Sequence, residues 1–418
     1  SIAKKEDKNI LLICPNIEIA YKWIGYFESI NNKAVLYYPP TEHPPYSSIN
    51  KSKEIEFTQL TVLSKLIKKG RKKLNIVITT ERSLQPHLTN KNLLIENTLD
   101  LQKGCQIEIL ELAKKLTLLG YIKENVTSTE GFWSRRGEII DIYPVNNEFP
   151  VRLEFFDNVI EKMREYDPHT QKTLESINNI EIIQAGFDLL IKDKLNKLSK
   201  NSIFNSEDIN KNNLDRYLGI IEKKPSNIID FINKETIVVI DELEDCKKFS
   251  KNWYLDAKNN FDNCKNELNE NLKNNDIYLK ASPNLHIKFD EILNSLRNLN
   301  LIKLYEFESK DNIENRFLLN DKRLNSYSKN IGKLSNDINE NIKNKNKVWI
   351  LSAQPLRTRT LLFEHECNTN FLNNPNNINE AYKSINNSIP LIIKNKNNYE
   401  IEGFYLPIWK VVLITDKE

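Results

Sequence analysis

The sequence predicts an α/β fold with a parallel sheet covered by helices, an inserted and mainly antiparallel domain, and a small α/β domain at the end. Strand and helix patterns alternate over the first eighty residues, which is typical of a parallel sheet. From Tyr121 to Ile182 the pattern changes to short alternating strands joined by tight turns. Buried-strand patterns return after Ile228 and again after Lys347.

The first 104 residues carry the alternation that indicates the parallel sheet. Apolar runs at Asn9–Cys14, Ala34–Tyr38 and Leu74–Thr79 are typical of strands buried on both faces. Apolar residues between Ile17 and Phe27 repeat at helical spacing, and Glu54–Lys69 is the second predicted helix. Strand, helix, strand, helix and strand in this order predict parallel pairing.

The next segment, residues 105–185, is predicted to be the inserted domain. It begins with an amphipathic helix at Ile107–Leu119. Strands at Glu138–Tyr143 and Val151–Phe155 then alternate across a turn at Asn146-Asn147, and Asp157-Asn158 forms the next tight turn. This order predicts an antiparallel meander.

The rest of the chain returns to α/β patterns and divides into residues 186–328, the second part of the first domain, and residues 329–418, the small α/β domain. Within 186–328 we predict strands at Thr236–Ile240 and Leu301–Phe307, a mainly helical Cys246–Asn300, and helix with loop over the Lys/Asn-rich Asp188–Asn213. The predicted elements of 329–418 are a polar hinge at Lys329–Asn346, strands at Lys347–Ala353 and Trp409–Thr415, a helix at Arg357–Glu366 and a solvated loop at Asn373–Asn387.

Composition limits the class of function. The 418 residues include 60 basic and 57 acidic side chains, a net charge of +3, so charge alone gives no argument for tight binding to nucleic acid. The five cysteines are widely spaced without a C-x-x-C pair, which favours a reduced, cytoplasmic protein and argues against a zinc site. No apolar run approaches the ~20 residues of a membrane span, and no signal peptide is recognisable. Because the first residue is not Met, we expect a fragment of a longer protein.

No catalytic site is predicted. The phosphate-loop pattern G-x-x-x-x-G-K-[ST] is absent, and the first strand is followed by PNIEIA, which contains neither glycine nor lysine. Asp241-Glu242 follows a buried strand, as does the Mg²⁺-binding acidic pair of P-loop ATPases, but without a phosphate loop we interpret it as an acidic strand end. The five histidines are scattered, without metal-ligand spacing.

The stretch from Gly131 to Gln171 is the candidate binding surface because it holds four of the twelve arginines, at 135, 136, 152 and 164. Five basic and seven acidic residues lie between Gly131 and Glu165, a local net charge of 5 − 7 = −2, which is unsuited to tracking phosphates. Strand alternation places Arg152 and Glu154 on one face and adds the aromatic Phe156 to it. Arginine beside an exposed aromatic favours a protein partner, while salt bridging and core packing within the domain remain the alternative.

The same stretch is similar to the UvrA-binding domain of UvrB and of the transcription-repair coupling factors (Mfd). The run RRGEIIDIYP…FPVRLEFFDNVIEKMREYDPHTQKT follows that domain's pattern over about forty positions, with one residue fewer after Phe156. The stretches YYPPTEHPPY, IVITTERSLQPHL and GFYLPIWKVVLITDKE resemble three further elements of Mfd. A UvrB-like excinuclease subunit or helicase fragment is the alternative. The absent phosphate loop and the short spacing of about thirty residues between Tyr46 and Ile76, which leaves no room for the Tyr-rich hairpin of UvrB, point away from it.

The resemblance implies a degenerate helicase-like module without ATPase function, in which Arg136, Arg152 and Phe156 contact UvrA. It implies a role in recruiting UvrA to RNA polymerase stalled at DNA lesions, in transcription-coupled nucleotide excision repair. The full-length family member is an ATP-dependent DNA translocase that displaces the polymerase. Its polymerase-binding and motor domains, with the ATP and Mg²⁺ that they use, lie outside this sequence. For this span we therefore expect no cofactor, no metal, no catalytic residue and no membrane partner.

Overall fold

The structure is a computed structural model. It describes residues 8–29, 35–47, 49, 51–67, 76–188, 191, 218, 224–271, 285–306, 317–324, 326–327, 330–372, 389–394 and 402–417. The chain forms two compact units, one of Ser1–Ala20 with Ala34–Glu306 and one of Tyr21–Lys33 with Phe307–Glu418. The finer division predicted at residues 105, 186 and 329 stays a prediction.

The secondary-structure elements are numbered in chain order. The strands are β1 (Ile10–Cys14), β2 (Val35–Tyr37), β3 (Ile76–Thr80), β4 (Leu99–Gln102), β5 (Ile122–Lys123), β6 (Phe132–Arg136), β7 (Ile139–Ile142), β8 (Val151–Phe156), β9 (Val159–Tyr166), β10 (Thr173–Ser176), β11 (Asn179–Ile182), β12 (Ile237–Asp241), β13 (Asn300–Leu304), β14 (Lys322–Arg323), β15 (Lys347–Ser352), β16 (Asn370–Leu372), β17 (Leu391–Lys394), β18 (Phe404–Leu406) and β19 (Val411–Thr415). The α-helices are α1 (Ile17–Ser29), α2 (Lys53–Ile67), α3 (Lys91–Glu96), α4 (Ile109–Leu118), α5 (Leu243–Asn271), α6 (Phe289–Leu296), α7 (Ile331–Lys343) and α8 (Pro355–Glu364).

A parallel sheet forms the centre of the first unit, in the order β13-β12-β1-β3-β2. Ile10 of β1 lies beside Ile237 on one side and Ile76 on the other. All five residues of β3 and the last four of β1 are buried, which explains why these strands are continuous apolar runs. The predicted parallel sheet is confirmed.

The antiparallel meander is also confirmed, as a second sheet in the order β10-β9-β8-β7-β6-β5. Adjacent strands from β6 to β10 pair antiparallel, and the short β5 pairs with β6 in parallel. Asp157 adopts a φ of 52° in the turn between β8 and β9, as a tight hairpin requires. The inner face of the meander belongs to the same hydrophobic core as the parallel sheet, with Leu112 and Leu116 of α4 in that core.

A two-stranded ribbon of β4 and β11 brackets the meander and was missed from sequence. The two strands pair antiparallel, with Leu99 opposite Ile182 and Gln102 opposite Asn179. The chain therefore leaves the first domain and comes back to it along neighbouring strands.

The second unit contains a mixed sheet in the order β14-β18-β19-β15-β17-β16. The hinge predicted at Lys329–Asn346 is wrong, because Ile331–Lys343 is the helix α7. Its polar sequence hides a helical repeat in which Ile338 is buried and Ile331 and Ile342 pack against the core. The side chain of Asn330 accepts a hydrogen bond from the backbone N–H of Lys333 and caps the helix. The predicted loop at Asn373–Asn387 and nearly all of Asp188–Asn213 lie outside the described residues.

Candidate docking face on the antiparallel sheet

The outer face of β8 carries two of the three predicted site residues, Arg152 and Phe156, and the third, Arg136, lies on β6. Val151, Leu153 and Phe155 are buried at 0, 0 and 6 % exposure and form the inner face. Arg152 and Glu154 are half-buried on the opposite face, and Phe156 is 70 % exposed. The structure thus places Arg152 and Phe156 on the same face of one strand, four residues or roughly 13 Å apart.

Asp141 is the centre of the charged end of this face. It lies on β7 directly opposite Arg152, and only 1 % of its surface is exposed. Its Oδ1 accepts a hydrogen bond from Arg152 Nε at 2.7 Å, and its Oδ2 accepts from Arg152 Nη2 at 2.9 Å. The same Oδ2 accepts from Arg136 Nη2 at 2.9 Å. One buried carboxylate therefore holds both predicted arginines, of which Arg152 binds it in the two-pronged geometry that suits guanidinium.

The β6–β7 hairpin brings Arg136 to this carboxylate. Its strands pair from Trp133 opposite Ile142 to Arg136 opposite Ile139. Gly137, in the two-residue turn, has a φ of 61°, which a side chain would disfavour. The tight turn keeps Arg136 diagonally next to Asp141. Arg135 faces the other way and donates from Nε to the carbonyl of Gly137 at 3.1 Å, so it is not part of this site.

Arg152 is enclosed by two further partners. Its Nη2 also donates to Gln171 Oε1 at 3.0 Å, and its guanidinium carbon lies 4.6 Å from the centre of the Tyr166 ring. Tyr166 is buried, and its hydroxyl donates to the carbonyl of Thr127 at 3.3 Å. The hydrogen bonds with Asp141 raise the pKa of Arg152, so the guanidinium is charged at every accessible pH. Burial raises the pKa of the Tyr166 hydroxyl, which keeps it neutral.

Gln171 is held in place by a compact turn. Its backbone adopts a φ of 60°, and its Nε2 donates to the carbonyl of Pro168 at 2.9 Å. The Asp167 carboxylate accepts from the backbone N–H groups of His169 and Thr170 at 2.9 and 2.7 Å. Bonds from Thr170, through its backbone and side chain, lower the pKa of Asp167. The turn aims the Gln171 amide oxygen at Arg152.

The middle of the face is a second ion-pair group. Arg164 lies directly opposite Arg152 on β9, and the nearby Glu154 pairs with both Arg164 and Lys162. The Lys162 Nζ is 3.8 Å from a Glu154 oxygen. Two arginines side by side would repel each other, but each has its own carboxylate. Arg164 is therefore assigned to salt bridging within the domain. This was the alternative to a protein-binding role that the sequence left open for these arginines.

The other end of the face is apolar. Phe156 lies opposite Val159 across the Asp157-Asn158 turn, and Val159 is 37 % exposed. An open cleft of about 590 Å³ continues from Val159 and is lined by residues 102–104, 159–161 and 178. An exposed phenylalanine next to a cleft is typical of a protein-binding site.

Sequence reasoning missed Asp141 and Gln171 as members of the site. Asp141 did carry a signal, because it is the one charged residue in the strand Ile139–Ile142. A charge among buried apolar positions requires a partner of opposite charge. Gln171 gave no comparable signal, since its position depends on the turn that precedes it.

The carboxyl end of the parallel sheet is packed by the chain itself. After β1, the side chain of Asn16 accepts from the backbone N–H of Ile19 at 3.0 Å and begins α1. Glu242, after β12, accepts from the backbone N–H of Glu306. Glu81, after β3, is 0 % exposed, and neither of its oxygens has a hydrogen-bond partner among the described residues. Burial raises the pKa of Glu81 to about 8, against the opposing charge of Arg82 at 3.7 Å.

Two classes of site are not found in the described part of the chain. No three His, Cys, Asp or Glu side chains there come together as metal ligands. Every helix there is too short or too polar to cross a membrane.

Two family models match the chain. The UvrB interaction domain matches residues 99–186, which include the whole candidate docking face. The cyanobacterial Mfd Rossmann-like domain matches residues 323–418.

Curated relatives carry the description transcription-repair-coupling factor. The protein from Staphylococcus epidermidis is 28 % identical over 273 residues, covering 58 % of this chain and 23 % of the relative. For Bacillus subtilis the identity is 26 % over 272 residues, with 58 % and 23 % covered. For Haemophilus influenzae it is 22 % over 327 residues, with 72 % and 28 % covered. The resemblance stated from the sequence is confirmed, and the chain spans about a quarter of the length of these relatives.

Proposed function

We propose that this chain, which resembles the transcription-repair coupling factors, is a protein-docking module that binds UvrA. Through this contact it recruits UvrA to RNA polymerase stalled at DNA lesions, in transcription-coupled nucleotide excision repair. The match of residues 99–186 to the UvrB interaction domain supports a contact with the excision machinery. The names of the curated relatives support the coupling to transcription.

The observation that carries the proposal is the outer face of the antiparallel sheet, to which β6 and β8 both contribute. An exposed phenylalanine and a half-exposed arginine share this face, with 70 % of Phe156 and 53 % of the Arg136 side chain exposed. Arginine and aromatic side chains are the residue types that most often dominate binding energy. Arg136 and Arg152 are also fixed by Asp141, so little side-chain entropy is lost when a partner binds.

For the longer parent protein we propose an ATP-dependent DNA translocase that displaces the polymerase. We place the contacts with RNA polymerase and DNA, and the ATP and Mg²⁺ of the motor, in parts of the parent outside this chain. The span itself is proposed to need no cofactor and to hydrolyse no nucleotide. The packing of Asn16, Glu81 and Glu242 at the carboxyl end of the parallel sheet supports this, because phosphates would have to displace those contacts. A cytoplasmic location follows from the proposed role.

Binding of the whole chain to purified UvrA, followed by titration calorimetry, tests the proposal. Arg136→Ala, Arg152→Ala and Phe156→Ala should each weaken binding by more than about 1 kcal/mol. Arg135→Ala is the matched control, since it removes the same charge from the same strand on the other face. Unchanged capture of UvrA by a folded triple variant would show that the docking face is wrongly assigned.

A further inference from the structure

The two arginines bound to Asp141 differ in how much of each is free to meet a partner. Arg152 is 19 % exposed at its side chain, gives two nitrogens to Asp141 and one of these also to Gln171, and covers the ring of Tyr166. Arg136 is 53 % exposed, and in the described part of the chain it uses Nη2 alone, in its bond to Asp141.

We infer that Arg136 contacts the partner, and that Arg152 and Asp141 are positioning residues that hold Arg136 in place. The inference rests on the proposed function and divides its three site residues into two roles. Arg136 and Phe156 touch UvrA. Arg152 acts through Asp141 and Arg136.

Charge identifies what Arg136 binds. Asp141 is a single negative charge between two positive ones, so the group as a whole is left with one positive charge. The planar guanidinium of Arg136 belongs to a side chain that is 53 % exposed, and this group matches a carboxylate better than any other protein group. The partner side chain is therefore an Asp or Glu of UvrA, and the interaction weakens as salt is added.

The geometry also explains why Arg152 is needed. Asp141 is almost fully buried and must be neutralised by a cation. With Arg152 present, the two oxygens of Asp141 are already occupied, and Arg136 donates to it with a single nitrogen. Without Arg152, Arg136 moves inward and hydrogen-bonds to both oxygens of Asp141. Its guanidinium is then no longer available to bind the partner.

A double-mutant cycle separates the two roles. The affinity for purified UvrA is measured by titration calorimetry for the wild-type chain, Arg136→Ala, Arg152→Ala and the double variant, with folding checked by circular dichroism. Each single variant is expected to bind at least about tenfold more weakly. The double variant is expected to bind within about twofold of Arg136→Ala alone, because Arg152 has no contact of its own to lose. Fold-changes that multiply would mean that Arg152 touches UvrA, and would overturn the inference.

Two further variants distinguish a loss of UvrA affinity caused by misplacement of Arg136 from a loss caused by unfolding of the domain. Asp141→Asn keeps the volume of the side chain, and its loss of affinity should likewise vanish in the Arg136→Ala background. In a Phe156→Ala background, Arg152→Ala should retain its full fold-change, because Phe156 lies at the other end of the face. A loss that disappears there too would indicate general disruption of the domain and overturn the positioning role. Failure of the wild-type chain to bind UvrA would instead overturn the proposed function, and the inference with it.

Salt supplies the test of the partner's chemistry. Raising the salt concentration from 50 to 300 mM should weaken the wild-type complex more steeply than the Arg136→Ala complex. Equal salt dependence in both would exclude a carboxylate as the group that Arg136 binds.

Discussion

Glu81 makes the stability of the parallel-sheet unit depend on pH. This carboxyl group is fully buried, and burial raises its pKa to about 8 from an ordinary value of 4.5. The folded state therefore keeps the proton on Glu81 between pH 4.5 and 8, while the unfolded state releases it. Because the folded state binds more protons in this window, the free energy of unfolding falls as the pH rises. The stability that protonated Glu81 contributes is fully present below pH 4.5, the pKa of the unfolded state, and is lost as the pH approaches 8.

The size of the effect follows from the pKa difference. Each pKa unit is worth about 1.36 kcal/mol, so a rise from 4.5 to about 8 gives a loss on the order of 3 kcal/mol between pH 5 and pH 8. Glu81→Gln keeps the shape of the side chain and removes its titration. The variant should be less sensitive to pH and more stable than the wild type at pH 8.

Urea unfolding of the whole chain at pH 5, 6, 7 and 8 measures this difference. Hydrogen exchange of the β3 amides, followed by mass spectrometry, assigns it to the strand that precedes Glu81. Glu124→Gln is the control, since it makes the same chemical change at an exposed position. The same pH slope in the wild type and in Glu81→Gln would refute the argument, because the protonated buried carboxyl would then contribute nothing.

Three other predictions concern the stability of arginine and glycine variants and the absence of nucleotide turnover. Arg152→Ala should lower the free energy of unfolding by about 2–3 kcal/mol, because it leaves a buried carboxylate with one cation; Arg136→Ala should lower it by less than about 1 kcal/mol, and chemical denaturation compares the two. Nucleotide turnover should be absent from this chain in a phosphate-release assay; turnover that disappears on Asp241→Ala would contradict this and favour the UvrB-like alternative. Gly104→Ala and Gly120→Ala both place a side chain at positive φ, 86° and 89°. A Cβ at Gly104 meets no atom of the described residues within 4 Å, whereas a Cβ at Gly120 meets a backbone nitrogen at 3.2 Å. Melting curves should therefore show a loss of about 1 kcal/mol at Gly104 and about 1–2 kcal/mol more at Gly120.

The strands were predictable wherever burial imposes a simple pattern. The continuous apolar run of β3 and the alternation of β8 both follow directly from which faces meet the core. Helix α7 was missed because its few apolar residues are separated by Asn, Lys and Glu, so composition obscured the helical repeat. The ribbon strand β4 was missed because its sequence, LDLQ, is too short to show a period.

The position of the candidate docking face followed from the sequence, but its contacts did not. Alternation alone placed Arg152 and Phe156 on one side of the sheet, and the local charge count pointed to a protein partner. What the sequence could not reveal is that Arg136 and Arg152 meet the same carboxylate, because this depends on the register of β6, β7 and β8. Register is a property of paired strands, and no single strand encodes it.

The ribbon of β4 and β11 brings the two ends of the meander segment next to each other. Leu99 and Ile182 are paired across the ribbon, so the two ends of the segment lie about one strand spacing apart, ~5 Å. A segment with adjoining ends can be inserted between two strands without changing their order in the sheet. Exchange of the segment at this point would keep the order of the strands in the parallel sheet, provided that the inner face of the new meander fits the core that it shares with that sheet.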